Sequence, residues 1–362
     1  MNQLLIIEPN LRSPSGHYAD FVRAVGARCR EASLGVFAHP AADGMLEAML
    51  GVQVCREQPR VGEPLAEWRT ILRAVRKRLP FLVLTADGRH AAAVSMAAAG
   101  AGCIPDRARL FFHRPPTTFR DKCFLPLAGP ARRHALAITS TEPVADELRA
   151  SGWRRVACVP YPALAPAEPP VPVPFSHLLM AGAARINKGL DLVAGLASQW
   201  ASEGRAVPLV VQVSQKHADR HGHREGAVVQ ELLSSGYLGL RADESAPDRA
   251  EYLARFRGAL VLAPYAREQF ASQVSGIVLD ALLHGSPVIA TRGTWPGAQV
   301  ERFGAGETIA ERTPAALAAA VDRVLADWPS YAARACDAAR ILAREHDPRR
   351  LLEILLQDAL PA

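Results

Sequence analysis

The segment of this sequence that most directly suggests chemistry contains two cationic residues followed by a glycine. In AGAARINKGLDLV (181–193), a predicted strand ends at Gly182, Arg185 and Lys188 follow, and Gly189 opens a predicted helix. Cations beside a helix N-terminus suit an anion, because charge-assisted hydrogen bonds and the helix dipole both favour it. The pattern predicts that Arg185 and Lys188 bind a diphosphate and stabilise its departure. A solvated charged turn is the alternative.

A second candidate segment is APYAREQFASQVSGIVLDALLHGSPVIAT (263–291), which indicates a strand, a polar loop, a helix and a strand. Ser275 and Gly276 would begin the helix, so that their backbone N–H groups point towards a bound ligand. Asp280 lies one turn further into a mostly apolar helix. A carboxylate in such a place needs a partner, because unpaired burial is costly. A ligand hydroxyl is one candidate partner, and a nearby Arg is the other.

Two further candidates belong to the first half of the chain. Gly16 follows the first predicted strand and opens a helix, where a glycine lets the backbone approach a phosphate or a sugar. There is no GxGxxG pattern, so a turn glycine is the alternative. His113, in LFFHRPP, ends a predicted strand, and His17 could face the same region. A structural histidine is the alternative in both cases.

Alternating apolar strands and amphipathic helices position these residues in both halves of the chain. The predicted strands are 4–7, 34–40, 81–86, 109–116 (a strand that runs into a loop), 136–141, 156–162, 177–183, 207–213, 258–265 and 287–291. The predicted helices are 17–29, 65–78, 90–100, 144–152, 189–200, 227–235, 274–285, 314–328, about 330–345 and 349–359. This order predicts an α/β class with two doubly wound, Rossmann-like domains. Ligands of such sheets bind beyond the carboxyl ends of the strands.

A proline-rich stretch is the best candidate for the domain boundary. Residues 160–174, PYPALAPAEPPVPVP, contain seven prolines, and neither a helix nor a strand tolerates that density. We therefore predict an N-terminal domain at 1–160, a linker at 161–175 and a C-terminal domain at 176–346, with a cleft between the two domains.

The composition limits the functional classes. The 362 residues carry a net charge of +6, and residues 1–160 alone hold 22 Lys and Arg against 14 Asp and Glu. The basic half suggests an acidic partner, but no nucleic-acid-binding module is recognisable, so nucleic acid is not expected. The six cysteines lack CxxC spacing, and His217, His221 and His223 have no completing ligand, so no metal site is predicted. Without a signal peptide or a spanning segment, we expect a cytoplasmic protein.

At these motifs the sequence resembles the retaining glycosyltransferases of the GT-B fold, of the group 1 or family 4 type. The resemblance rests on the glycine loop at Gly16, on "R..KG" at 185–189 and on "E.F..Q.SGIVLDAL..G.PVIAT", and it covers almost the whole chain. It implies two Rossmann-like domains that face a cleft and a UDP- or GDP-sugar as donor substrate. It further implies retention at the anomeric carbon, no metal and no permanently bound cofactor.

The resemblance also implies roles for single residues. The family's donor motif usually has two Glu separated by seven residues, and here Ser272 and Asp280 stand at those positions. Asp280 would hold the ribose hydroxyls, while Ser272 lacks the charge that usually contacts the donor sugar, so Glu268 could substitute. By the same resemblance His113 would lie near the donor sugar. The C-terminal helix, within 347–362, would pack back onto the N-terminal domain.

The expected acceptor is a glycan or a lipid-linked sugar of a surface polysaccharide or glycolipid. Arg69, Arg73, Arg76 and Lys77 lie on one predicted helix face, which suggests a peripheral contact with an anionic membrane at its inner face. A solvated basic face is the alternative. Two other functions stay open: a non-catalytic protein that binds a sugar nucleotide or scaffolds a partner glycosyltransferase, which Ser272 favours, and a nucleotide-sugar epimerase of the same fold.

Overall fold

The computed structural model describes residues 2–14, 16–29, 32–42, 44, 53–54, 66–213, 223–245 and 247–357. The chain divides into two compact units. The first unit comprises Met1–Leu164 and His346–Ala362, and the second comprises Ala165–Glu345. Each unit contains one parallel sheet with helices packed against it.

The first unit contains a parallel sheet that has seven strands within the described residues, in the order β3-β2-β1-β4-β5-β6-β7. The strands are β1 (Asn2–Glu8), β2 (Ala32–Ala38), β3 (Gln53–Val54), β4 (Phe81–Val83), β5 (Ala108–Phe111), β6 (Leu136–Thr139) and β7 (Val156–Cys158). Its helices are α1 (His17–Gly26), α2 (Ala66–Arg76), α3 (Gly88–Ala101), α4 (Phe119–Phe124), α5 (Gly129–His134), α6 (Glu142–Ala150) and α15 (Arg349–Leu356).

Burial explains why these short segments form strands. Every residue of β4, β5 and β6 is buried, as expected for parallel strands covered on both faces. Side chains from α2, α3, α5 and α6 share one apolar cluster with residues of the sheet. The strand order reverses between β1 and β4. Strand β1 pairs in parallel with β2 on one side and with β4 on the other, so that Ile6 lies opposite Val36 and Leu82. Side chains that follow these strands therefore gather at one edge.

The C-terminal segment is part of the first unit. Helix α15 packs on α1 and β1. The preceding His346 is buried, its Nδ1 lies 2.7 Å from the carbonyl oxygen of Tyr161, and its carbonyl accepts from Ala163 N at 3.0 Å. The chain thus returns to the first sheet after it has built the whole second unit.

The second unit contains a parallel sheet that has six strands within the described residues, in the order β10-β9-β8-β11-β12-β13. The strands are β8 (His177–Met180), β9 (Leu209–Gln212), β10 (Leu240–Asp243), β11 (Ala259–Ala263), β12 (Val288–Thr291) and β13 (Gly306–Ile309). Its helices are α7 (Leu190–Ser202), α8 (His223–Leu233), α9 (Arg249–Ala254), α10 (Arg267–Phe270), α11 (Gly276–Leu283), α12 (Trp295–Phe303), α13 (Pro314–Ala326) and α14 (Trp328–Glu345).

The proline-rich stretch forms neither a helix nor a strand from residue 159 to residue 176. Its last part packs on the second unit, where Val173 accepts a hydrogen bond from Trp328 Nε1 at 2.8 Å and Phe175 meets the Trp328 ring edge-on. Among the described helices, none combines the length and the apolar character needed to cross a membrane.

Candidate functional site

The strongest candidate site lies in the second unit, in the loop between β8 and α7. Arg185 is followed by one 3₁₀ turn, Ile186–Lys188, and Gly189 then takes a left-handed conformation with φ 88°. The Arg185 carbonyl accepts from both Lys188 N and Leu190 N at 3.0 Å. A Cβ at Gly189 would stand 2.5 Å from Pro264 Cγ, so only glycine fits. The loop is therefore held in one shape.

Within the part of the chain that the structure describes, the two cations of this loop have no carboxylate counter-ion. No ion pair joins Arg185 or Lys188 to a carboxylate among the described residues, and the buried Arg185 Nε has no hydrogen-bond partner there. Lys188 Nζ lies 5.9 Å from the centre of the Tyr265 ring. Burial, together with the charge of Arg185, lowers the pKa of Lys188 to about 8. An anion bound here would supply the missing charge.

Arg312, which the sequence analysis did not single out, ties this loop to the end of β11. Its Nε donates to the carbonyl of Pro264 at 3.0 Å, and Nη2 lies 3.4 Å from the carbonyl oxygen of Ile186 and 3.8 Å from a carboxylate oxygen of Asp191. Arg312 lies 126 residues after Ile186 in the chain, and no local spacing pointed to it. It adds a third cation beside the candidate anion site.

The start of α11 lies beside the same loop. A Cβ on Gly182, two residues after β8, would come within 2.6 Å of Ile277 Cδ1. Ser275 caps α11, since its Oγ accepts from Val278 N at 3.3 Å, and the same Oγ lies 3.5 Å from the hydroxyl of the buried Tyr265. A Cβ on Gly276 would meet nothing within 4 Å. The structure thus brings the two segments singled out in the sequence together at one edge of the sheet.

Asp280 has a protein partner, which is Arg249 at the start of α9. The two guanidinium nitrogens lie 3.1 and 3.2 Å from the two carboxylate oxygens, and both side chains are largely buried. Of the two partners considered for Asp280, the nearby Arg is therefore present. A carboxylate that accepts two hydrogen bonds from Arg keeps lone pairs for a further donor.

Glu268 and Ser272 lie on and just after the short helix α10. Glu268 is exposed and Ser272 is half-buried. This segment directly contacts residues 185–189, which we call the cationic loop. Ala266 N donates to the Asn187 carbonyl at 2.8 Å, and the Asn187 side chain forms a hydrogen bond with that of Gln269. Both residues therefore belong to a segment that borders the loop of Arg185 and Lys188.

In the first unit, Gly16 and His113 are linked through Tyr161. Gly16 precedes α1 with φ 97° and ψ 169°, a conformation essentially restricted to glycine, and a Cβ there would meet nothing within 4 Å. The Tyr161 hydroxyl donates to the carbonyl of the following residue, His17, at 3.2 Å, and the Tyr161 ring centre lies 6.1 Å from that of His113. Both candidates therefore lie at the same edge of the first sheet.

The His113 ring is held in a neutral form. Its Nε2 lies 3.0 Å from the carbonyl oxygen of Leu84. Burial, with a contribution from the charge of His17, lowers the pKa of His113 to about 4 in spite of this hydrogen bond. At neutral pH the ring therefore donates from Nε2 to the carbonyl, and Nδ1 is left as an acceptor.

The first unit also contains two clusters around buried charged side chains that the sequence did not reveal, one at Glu8 and one at His90. Glu8, at the end of β1, is fully buried, and it accepts from Asn10 N at 2.9 Å and from the Thr85 hydroxyl. His90 lies between two carboxylates, with Nε2 2.7 Å from Glu67 Oε1 and Nδ1 2.7 Å from Asp87 Oδ1. These groups are satisfied within the protein itself.

Within the described residues, no group of three or more His, Cys, Asp and Glu side chains is arranged to hold a metal ion. His217 and His221, which the sequence analysis considered for this role, lie outside the described residues.

Comparison with solved structures identifies the fold. HepE from Anabaena, in crystals with UDP, matches with a TM-score of 0.68 and 16% identity, over 98% of this chain and 99% of that chain. Further crystals of HepE hold UDP and glucose or UDP-glucose. Sucrose-phosphate synthase from Thermosynechococcus elongatus matches with a TM-score of 0.67 and 13% identity, over 98% of this chain and 98% of that chain. A glycosyltransferase from Rickettsia africae matches with a TM-score of 0.69 and 12% identity, over 98% of this chain and 97% of that chain.

These likenesses show that the chain has the GT-B fold, with two Rossmann-like domains, as the sequence predicted. The chain matches no protein-family model. A search of curated proteins gives no match either.

Proposed function

We propose that this protein is a glycosyltransferase that uses a UDP-sugar as its donor. The observation that carries the proposal is the loop of Arg185 and Lys188, which has no carboxylate counter-ion among the described residues and stands at the start of a helix at the carboxyl edge of the second sheet. A diphosphate matches this charge and position. The GT-B fold supports a nucleotide-sugar, and the UDP complexes of HepE favour uridine over the guanosine that the sequence left open.

In the proposed reaction the bond between the anomeric carbon and the diphosphate oxygen breaks, and a bond from that carbon to an acceptor oxygen forms. The diphosphate leaves with the electron pair, and the acceptor hydroxyl transfers its proton to the departing diphosphate. Arg185 and Lys188 stabilise the charge that develops on the diphosphate, as do the backbone N–H groups at Ser275 and Gly276. Because protein cations supply this stabilisation, the proposed reaction uses no metal. It proceeds with retention of the configuration at the anomeric carbon, as the resemblance implies.

The remaining donor contacts are assigned to the carboxylates and hydroxyls around α10 and α11. Asp280 accepts from the ribose hydroxyls while Arg249 holds it in place. Glu268 and Ser272 contact the donor sugar, since they border the cationic loop. Ser272 carries no charge, so the exposed Glu268 supplies the carboxylate that this position would otherwise contribute.

For the first unit the proposal is limited to sugar binding at the edge where Gly16 and His113 lie. Gly16 admits a ligand close to the backbone, since nothing occupies the space beside its Cα. The neutral His113 offers Nδ1 as an acceptor for a sugar hydroxyl. The proposed acceptor is a glycan or a lipid-linked sugar of a surface polysaccharide or glycolipid, and a lipid-linked acceptor would place the protein at the inner face of a membrane.

The experiment that tests this function is a thermal-shift screen against UDP, GDP, ADP and their common sugars, followed by calorimetry of the best ligand. We expect UDP and one UDP-sugar to raise the melting temperature, and Arg185→Ala to abolish that rise. Arg257→Ala is the matched control, because Arg257 is an exposed arginine of the same unit. A screen in which none of the nucleotides stabilises the protein would contradict the proposal.

One observation keeps a second candidate, a non-catalytic sugar-nucleotide-binding protein, in view. Ser272 replaces the first carboxylate of the donor motif. Hydrolysis of the bound UDP-sugar, or transfer to a glycan acceptor, separates the two functions. An enzyme loses turnover in the Asp280→Asn and Lys188→Ala variants, whereas a non-catalytic protein releases no UDP with either the native or the variant chain.

A further inference from the structure

Arg312 connects two segments that belong to the candidate diphosphate site. It stands between β13 and α13, and its Nε donates to the carbonyl of Pro264, just after β11, at 3.0 Å. Its Nη2 lies 3.4 Å from the carbonyl oxygen of Ile186, in the cationic loop. A guanidinium group is a planar fork whose donors keep fixed directions. One side chain therefore fixes the position of the cationic loop relative to the end of β11.

The cationic loop has two further contacts with the residues that follow β11. Ala266 N donates to the Asn187 carbonyl at 2.8 Å. A Cβ on Gly189 would stand 2.9 Å from the carbonyl oxygen of Pro264, the same oxygen that accepts from the guanidinium group. Together with the contact at the preceding isoleucine, these contacts anchor the backbone on both sides of Lys188.

The segment that carries Arg312 is itself fixed. Arg267 donates from Nη2 to the carbonyl of Ala310, and from Nε to the carbonyl of Arg292, just after β12. On the other side of the segment, Thr313 caps α13. The fold therefore places the Arg312 side chain without help from a ligand.

The charge of Arg312 has its own acidic neighbour. Asp191, in the first turn of α7, has Oδ1 3.8 Å from Arg312 Nη2. That distance exceeds a hydrogen bond, but it brings opposite charges close together. Within the described residues, Arg185 and Lys188 have no such carboxylate. Arg312 thus spends two donors on backbone carbonyls and has a balanced charge, whereas the charges of Arg185 and Lys188 remain for a ligand.

We propose that Arg312 is a positioning residue, which holds the cationic loop in the shape that presents Arg185 and Lys188 to a diphosphate and does not bind the diphosphate itself. A loop that is already ordered loses little conformational entropy when its ligand binds, so the affinity is higher. The inference rests on the proposed function for its ligand, UDP, but the contacts of Arg312 with the loop form without it.

The first test is the affinity of Arg312→Lys and Arg312→Met for UDP, measured by isothermal titration calorimetry. Lys keeps the charge, but one ammonium group cannot reproduce the planar fork that reaches both carbonyls. Met removes the charge and the donors. We expect both variants to lose affinity by about tenfold, because each must order the loop on binding. A much larger loss for Met than for Lys would assign Arg312 to the diphosphate itself and overturn the inference.

Arg323→Lys and Arg323→Met are the matched controls. Arg323 belongs to α13, and its Nε lies 2.9 Å from a carboxylate oxygen of Glu307. Because Glu307 belongs to β13 and not to the cationic loop, both control variants should bind UDP with native affinity. Arg312 and Arg323 are both partly exposed, so all four variants should fold.

The second readout is the pH dependence of UDP binding. In the anchored loop, burial and the charge of Arg185 lower the pKa of Lys188 to about 8. Among its other neighbours, Asp191 and Arg312 are charged throughout, and burial raises the pKa of Tyr265 to about 12, so its hydroxyl stays neutral. In Arg312→Lys the released loop hydrates Lys188, and its pKa rises towards the ordinary 10.5. The fall in affinity should therefore move to higher pH, which a loss of overall stability alone would not cause.

The third readout needs no ligand. Lys188 N and Leu190 N both donate to the Arg185 carbonyl at 3.0 Å, so hydrogen exchange at these amides reports whether the loop keeps its shape. We expect the peptide that contains them to exchange faster in Arg312→Lys and Arg312→Met than in the native chain and in the Arg323 variants.

Two further results would overturn the inference. One is native UDP affinity in Arg312→Lys, which would mean that the fork to the two carbonyls does not matter. The other is unchanged hydrogen exchange of the loop in both Arg312 variants. A native chain that binds no nucleotide would contradict the proposed function instead, and the exchange experiment would still decide whether Arg312 holds the loop.

Discussion

The two units contain charged clusters of opposite design. In the first unit His90 is enclosed by Glu67 and Asp87. Burial alone would lower the pKa of His90, but its hydrogen bonds to Asp87 and Glu67 raise it to about 9. In the second unit Lys188 stands beside another cation, Arg185, and burial and that neighbour lower its pKa to about 8.

The difference separates a cluster that stabilises the fold from one that is arranged for a ligand. A buried charge with protein partners contributes to stability, and losing it leaves its partners unpaired. A pair of like charges without counter-ions destabilises the folded state, and its interaction energy becomes favourable only when an anion binds. Substitutions in the first cluster should therefore lower the stability of the fold, whereas substitutions in the second should lower the affinity for a ligand.

The largest expected effect is on the cluster of the first unit. His90→Ala should lower the free energy of unfolding by about 3 kcal/mol, because Glu67 and Asp87 lose their shared partner. The stabilisation by charged His90 is complete below the ordinary pKa of 6.5 and is lost as the pH rises through about 9. Urea unfolding of both proteins at pH 6 and pH 10 should therefore show a smaller difference at pH 10.

The matched experiment in the second unit is Lys188→Ala. This variant should leave the free energy of unfolding unchanged or slightly higher, since it removes a charge that burial and Arg185 disfavour. A loss as large as that of His90→Ala would show that the two clusters do not differ in this way.

The rigidity of the cationic loop can be tested at Gly189. Gly189→Ala should cost about 2 kcal/mol or more, because the left-handed backbone is strained and the new Cβ meets Pro264. Gly276→Ala is the control, since a Cβ there meets nothing and alanine favours a helix. Equal melting temperatures for the two variants would mean that Pro264 does not confine the loop.

The next largest effect is expected on the affinity for UDP. Lys188→Ala should weaken UDP binding about 10- to 100-fold, which is the value of one or more charged hydrogen bonds to a diphosphate. Isothermal titration calorimetry measures the change, and Lys77→Ala, an exposed lysine of the first unit, is the control. Unchanged affinity in the Lys188 variant would remove the diphosphate assignment.

The smallest effect is expected in the pH dependence of UDP binding. A diphosphate favours protonated Lys188, so affinity should be constant below about pH 8 and should fall as the pH rises through the pKa of about 8. Calorimetry at pH 8.5 in two buffers of different ionisation enthalpy should also detect proton uptake on binding. A flat profile from pH 7 to pH 9.5 would contradict a lowered pKa.

Much of the fold was predictable because its signals are local. The apolar runs of β1, β4, β5 and β6 predicted buried strands, and Thr313 with Pro314 correctly predicted the start of α13, which Thr313 caps. Three strands were missed, namely β3, β10 and β13. The strand β10, LRAD, contains no fully buried residue, so hydrophobic patterning gives no signal for it.

The candidate site was predictable only in part. The residue types in 181–193 and 263–291 pointed to an anion site, and the helix starts at Leu190 and Gly276 lie within one residue of expectation. Arg249 and Arg312 gave no sequence signal, since they lie 31 residues from Asp280 and 126 residues from Ile186. The cluster of Glu67, His90 and Asp87 was also missed, because Glu67 lies 23 residues before His90.

The sequence by itself determined the two doubly wound sheets, the glycines that open α1 and α7, and the position of two cations, Arg185 and Lys188, in one short loop. Hydrophobic period and backbone conformation depend on neighbouring residues, so the order of amino acids records them. Only the tertiary structure decided which charges are satisfied: Asp280 by Arg249, His90 by two carboxylates, and Arg185 and Lys188 by no described carboxylate. Ion pairing depends on residues that are distant along the chain and meet when the sheets form.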